Sequence, residues 1–200
     1  MMVILYEVHS GLYVNMTNRC PCACTFCLRQ EKDEMDGSGS LWLDREPTLD
    51  EIKAEFEKFD MTKYKEVVFC GFGEPTERLY DMLEAAAFVK KKYDLPTRVN
   101  TNGLGDLING VDTAPLYEGK IDTVSISLNT PDPQRYLEIV RPKFGEGSFE
   151  AMLKFAENVK NYAGKVVMTT VSGTISPAEE TLCREICNKL GVTYRIRAFE

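Results

Sequence analysis

Six short strand-like runs, at 12–16, 66–70, 98–101, 123–128, 166–171 and 193–197, alternate along the chain with stretches of helical character. That order is the pattern of a parallel sheet joined by right-handed crossovers. The helix ends carry their own signals. Thr48 with Glu51 and Ser176 with Glu179 each read as a capping box, Pro177 takes a first helical position, and Gly191 supplies a stop after Leu190. Between 148 and 162, Phe149, Met152, Leu153, Phe155, Ala156 and Val159 recur at helical spacing, which reads as a stripe facing the core. A further strand over 3–8 can form a hairpin with the first through 9–11. The expected fold class is α/β, a partial (β/α)6 barrel with outer helices, rather than a closed eightfold barrel.

In such sheets ligands sit at the carboxyl ends of the strands. Just after the first strand come Cys20, Cys24 and Cys27, with three and then two residues between them. That spacing can hold three corners of a cubane cluster. A [4Fe-4S] cluster normally takes four thiolates, so three leave one iron open, much as a catalytic zinc keeps one position free. Cys22 lies inside the same loop and offers a four-cysteine zinc site as the alternative, but four cysteines in eight residues crowd one side of a metal. Disulfides between such close neighbours are strained, and seven cysteines is an odd count with no secretory signal ahead of them. Reduced thiols and a cytoplasmic location are expected.

The other strands end on polar or glycine-rich residues. Gly71, Phe72, Gly73 and Glu74 follow the second, Thr101, Asn102 and Gly103 end the third, Ser127 and Asn129 the fourth, 171–173 the fifth, and Arg195 and Arg197 the sixth. All six ends face one mouth, which makes them one composite site. Ser127 with Asn129, and Arg195 with Arg197, are each two apart and are expected to share a face. Asn129 also suits a turn or helix cap, Asn102-Gly103 is a turn signal, and the arginines suit a solvated edge strand equally well.

The cysteine loop with Phe26 before its last cysteine, together with the Gly-x-Gly-Glu-Pro segment at 71–75, resembles the radical S-adenosylmethionine (SAM) superfamily. Over nearly the whole length, through 12–19, 71–76, 125–130 and 144–149, the chain is similar to the short radical SAM proteins called TatD-associated. The resemblance implies that SAM chelates the open iron and is reductively cleaved to methionine and a 5'-deoxyadenosyl radical, which takes a hydrogen atom from a substrate. It implies Cys20, Cys24 and Cys27 as cluster ligands, and an electron donor such as flavodoxin or ferredoxin. Gly71 and Gly73 would let the backbone approach the ligand around Phe72 while Glu74 accepts from its ammonium. Thr101, Ser127 and Asn129 would meet the ribose or carboxylate, Arg197 a carboxylate, and Phe26 the cluster or adenine, with core packing as its alternative.

With 200 residues, 44% hydrophobic and 28% charged, the chain fits a single domain over 1–200. Its apolar runs are strand-sized, short of the roughly 20 residues of a spanning helix, so no membrane partner is expected. A net charge of −7 argues against nucleic acid held mainly through phosphates, while leaving room for a local basic strip. Cys183 and Cys187 read as small buried hydrophobes, and Cys70 likewise. Within the cluster loop, taken as 17–30, and beyond it, the polar segment 29–46 reads either as a mobile lid or as an ordinary insertion. The chain closes on its sixth strand with no second cysteine-rich region, and the wide mouth expected from this suits a large substrate, such as a peptide or protein. A glycyl-radical-enzyme activase and a non-enzymatic iron-sulfur or zinc module are the alternative functions.

Overall fold

The computed structural model describes residues 2–35 and 37–198. Seven strands form one open sheet in sequence order: β1 (Leu5–Val8), β2 (Gly11–Val14), β3 (Glu66–Phe69), β4 (Thr97–Thr101), β5 (Thr123–Ser127), β6 (Lys165–Val171) and β7 (Thr193–Arg197). β1 turns through His9, whose φ is 51°, and pairs antiparallel with β2, Tyr6 opposite Tyr13. Every later pair is parallel. The expected hairpin and six parallel strands are therefore all present, and the barrel is unclosed. The first parallel strand stops at Val14 and the second at Phe69, and the next N–H groups, of Asn15 and Cys70, still reach across to the carbonyls of Ile4 and Val14 at 2.8 and 3.2 Å before the chain enters the mouth loops.

Alternation within the strands sorts the side chains. Leu12, Val14, Val67, Phe69, Val99, Val124 and Ile126 are buried against the helices. The opposite face carries Tyr13, Glu66, Arg98, Asn100, Ser127, Arg195 and Arg197 and lines the hollow of the barrel. The outer layer is α1 (Leu49–Phe56), α2 (Leu79–Tyr93), the short α3 (Gly105–Asn109), α4 (Pro133–Val140), α5 (Ser148–Val159) and α6 (Pro177–Leu190). Both capping boxes form, with Thr48 accepting from the Glu51 N–H and Ser176 from the Glu179 N–H. The apolar stripe of α5 is buried through Phe149, Met152, Phe155, Ala156 and Val159, and Cys183 and Cys187 are fully buried in α6 as small hydrophobes.

The segment 29–46 has no regular structure after a short 3-10 turn at Leu28–Gln30. Its second half is bolted down: Leu41 and Leu43 are buried, and the carboxamides of Asn15 and Asn18 donate to their carbonyls at 2.7 and 2.8 Å. Asp36, inside this segment, lies outside the described residues. Among the described residues no helix is long and apolar enough to cross a membrane.

Candidate active site at the barrel mouth

The cysteine loop is framed by backbone on both sides. On one side it leans on the end of α4: the N–H groups of Ala23 and Thr25 donate to the carbonyls of Val140 and Ile139 at 3.1 and 2.8 Å, Lys143 donates to Pro21 at 2.8 Å, and Cys22 forms a bridge with Pro142. On the other side lies the glycine loop. Glu74 N–H donates to the Arg19 carbonyl at 2.8 Å, and a Cβ on Gly73 would collide with the carbonyl oxygens of Thr17 and Arg19. Glycine is required there by close approach, not by a turn. Arg29, which sequence reasoning did not single out, stitches the two loops together. Its guanidinium donates to the carbonyls of Asn18, Cys22 and Phe72 at 3.3 to 3.5 Å.

Cys20, Cys24 and Cys27 are half-buried free thiols, whereas Cys22 is buried and receives Asn102 Nδ2 at 3.6 Å. Hydrogen bonding with Cys22 holds Cys20 and Cys24 below the usual thiol range and pushes Cys22 itself up, while burial raises Cys27.

Glu74 is engaged by the protein itself. It is 4% exposed, and its carboxylate already accepts from Thr76 N–H (3.1 Å), Thr76 Oγ1 (2.8 Å), Thr101 Oγ1 (2.7 Å) and Asn102 N–H (2.7 Å). A carboxylate so engaged splints the ends of β3 and β4, and Thr101 is its partner in that splint rather than a group facing the hollow. Asn129 is corrected as well. β5 ends at Ser127, so the shared-face rule no longer applies, and Asn129 sits at φ 67°, buried, with its amide donating to the Ser127 carbonyl at 3.4 Å. It is a turn residue, and Asp132, not Asn129, caps α4. Asn102 is both turn and contact: its Oδ1 accepts from Leu104 N–H at 2.8 Å while its Nδ2 reaches Cys22.

Phe26, Gly71, Phe72, Ser127 and Arg197 do meet, together with Cys24 and Cys27, around one cavity of about 620 Å³. Phe72 is buried, with the Trp42 ring edge-on at 5.1 Å. Arg195 and Arg197 face this cavity as their two-residue spacing requires. Glu66 and Arg98, paired at 2.7 Å, form its floor and were not legible as site residues, since nothing local marks an ion pair between strands.

Among the described residues no three Cys, His, Asp or Glu side chains stand preset around one metal ion. Two other observations test the fit to a cluster. Three half-buried thiols lie within a loop whose backbone is fixed from both sides. Above all, the hydroxyl of Tyr136 on α4 is buried without a hydrogen-bond partner. Burial first, then the nearby thiols of Cys22, Cys24 and Cys20 with the Glu74 carboxylate, push its pKa upward, so the group is a stranded donor beside the loop. Sulfides and cysteinates accept hydrogen bonds, and an iron-sulfur cluster here would satisfy it. The residues present fit the group.

A cysteine loop and a glycine loop at the carboxyl ends of adjacent strands in a partial barrel define an enzyme that works on a cluster and a small ligand held in its hollow. The family model described as the Radical SAM superfamily matches residues 14–186, and the chain belongs to that superfamily, with a [4Fe-4S] cluster and SAM as the family's cofactors. Among curated proteins it is similar to GTP 3',8-cyclase of Corynebacterium glutamicum, 31% identical over 144 residues covering 68% of this chain and 35% of that one. GTP 3',8-cyclase of Lactiplantibacillus plantarum is 30% identical over 136 residues, covering 68% and 38%. The chain spans little more than a third of these relatives. Two solved structures share the fold: Streptococcus suis SuiB bound to S-adenosylmethionine (TM-score 0.63, 16% identity, 94% of this chain, 38% of that one) and methylornithine synthase PylB (0.65, 16%, 95%, 53%).

Proposed function

We propose that the chain reductively cleaves SAM and passes the radical to a substrate admitted to the same hollow. With cluster and SAM bound, the family's chemistry yields methionine and a 5'-deoxyadenosyl radical that abstracts a hydrogen atom. The observation that carries this reading is the shared cavity, where Cys24, Cys27, Gly71, Phe72, Ser127 and Arg197 converge. Cys20, Cys24 and Cys27 hold three irons. The backbone around Phe72 presents polar groups to the ammonium of SAM, Ser127 meets its ribose and Arg197 its carboxylate. Phe26 packs beside the adenine or cluster. Glu74 and Thr101 act one step back, by fixing the glycine loop against β4.

A cytoplasmic setting and a flavodoxin- or ferredoxin-type electron donor belong to this proposal, as does placement among the TatD-associated proteins. The curated relatives are GTP 3',8-cyclases, which makes nucleotides the first substrates to try ahead of a peptide or protein. No observation favours the activase reading.

The test is an anaerobic incubation of reconstituted, dithionite-reduced protein with SAM, read by chromatography. Slow 5'-deoxyadenosine formation, accelerated by the true substrate, is the expected result. A cluster-replete, reduced sample that makes none, alone or with cell extract, would leave a metal-binding module in place of an enzyme.

A further inference from the structure

The chain carries a net charge of −7, yet the residues lining the barrel hollow include four arginines and a single carboxylate. Such a concave patch of one sign focuses potential against the trend of the whole molecule. The four guanidinium groups are not equivalent. Arg29 is consumed by backbone carbonyls. Arg98 is held bidentately by Glu66 at 2.7 and 3.0 Å and also donates to Asn100 Oδ1 and Tyr13 Oη, which fixes its position and neutralises it. Arg197, nearest the mouth, is the one given above to the SAM carboxylate.

Arg195 is left. Among the described residues its guanidinium has no hydrogen bond and no ion pair, although the hollow it faces is crowded with cations. The residue as a whole is exposed, on the open side of β7, while the partial desolvation of its guanidinium and the repulsion of Arg98 and Arg197 hold it below its ordinary range, against Glu66 and Tyr13. A guanidinium with no protein partner on the wall of a concave cationic site is free to take an anion.

Register fixes where that anion would lie. Ser127 pairs with Thr169, and Thr169 pairs with Arg195, so Arg195 stands on the rung of Ser127 two strands away, about 10 Å at the usual strand spacing. It is one alternation deeper than Arg197. An anion there sits beside, not on, the position given to SAM.

Resting on the radical SAM reading, we propose that Arg195 forms the subsite for a phosphoryl group of the substrate, so that the substrate class is a phosphorylated small molecule. The planar fork and permanent charge of arginine suit bidentate recognition of a phosphate oxyanion.

The experiment titrates inorganic pyrophosphate calorimetrically into anaerobic, cluster-loaded, SAM-bound protein, as wild type, Arg195→Gln and Arg195→Lys. Arg135→Gln, on the exposed face of α4, is the control for net charge. Pyrophosphate should bind the wild type and the control alike and lose about tenfold or more in affinity in Arg195→Gln, with partial recovery in Arg195→Lys, as expected of a charge-assisted contact. GTP should compete with pyrophosphate and guanosine should not. Equal pyrophosphate affinity in wild type and Arg195→Gln overturns the subsite. So does an equal loss of SAM affinity in Arg195→Gln, which would assign the residue to SAM. Failure of the radical reading shows itself separately, as absence of 5'-deoxyadenosine from the wild type.

Discussion

The Thr101 hydroxyl donates to Glu74 Oε1 at 2.7 Å, tying the end of β4 to the loop after β3 beneath the floor of the mouth. Because the same carboxylate takes two backbone N–H groups and a second hydroxyl, Glu74→Ala leaves four donors without their acceptor, three of them buried. The expected cost is at least about 2 kcal/mol of unfolding free energy by denaturant titration, since each stranded buried group costs roughly 1–3 kcal/mol. Cluster retention should fall with it. Ser127→Ala, by contrast, should weaken SAM binding with stability and iron content unchanged, and a stable Glu74→Ala would refute the splint.

Cluster content separates the four cysteines of the loop. Cys20→Ala, Cys24→Ala and Cys27→Ala should each abolish the iron and sulfide of about four apiece that a cubane requires, whereas Cys22→Ala should retain them. Iron and acid-labile sulfide assays after anaerobic reconstitution decide it. Stable zinc dependent on all four residues would contradict the assignment.

Tyr136→Phe removes the stranded hydroxyl at no cost in packing, because the ring still stacks edge-on against Phe149 at 5.4 Å. Hydrogen bonds to cluster sulfur favour the reduced, more negative state. The reduction potential should therefore drop by about 40 mV, the one-electron equivalent of a hydrogen bond worth about 1 kcal/mol. Redox titration followed by electron paramagnetic resonance reads the shift, and an unchanged potential places the hydroxyl elsewhere.

Acid stability should depend on Asp122 at the base of the sheet. Partial burial pushes its carboxyl up, but the Lys90 ammonium and the Thr97 N–H outweigh that and hold it below the usual range. A carboxyl depressed in the folded state contributes stability above its unfolded pKa, and loses it as pH falls through the folded value. Thermal melts should thus show Asp122→Asn less stable than wild type by about 1 kcal/mol at pH 7, as for one partly exposed charged hydrogen bond. The gap should close toward pH 3.

The parallel sheet, the hairpin, both capping boxes and the α5 stripe could be read from the sequence because each is written in local spacing or in a cap that acts within four residues. The cysteine loop and its spacing were legible for the same reason. The structural partners of Glu74 were not legible, since its four donors come from Thr76, Thr101 and Asn102 and no local rule shows that they converge. Asn129 was misread because the alternation rule was carried two residues past the end of β5. Tyr136, Arg29 and the Glu66–Arg98 pair became visible only in three dimensions, as their partners lie on other elements.

The hold of α4 on the cysteine loop bears on how the enzyme is made. Cys20 to Cys27 leave the ribosome early, but the carbonyls of Ile139 and Val140 that align Ala23 and Thr25, and the Lys143 amide that anchors Pro21, emerge more than a hundred residues later. A nascent chain therefore exposes its thiols to stray metal and oxidant well before their seat exists. Insertion of iron and sulfide becomes an event of maturation, timed by the folding of the barrel's far half, and variants that loosen α4 should accumulate as apoprotein even though they touch no ligand.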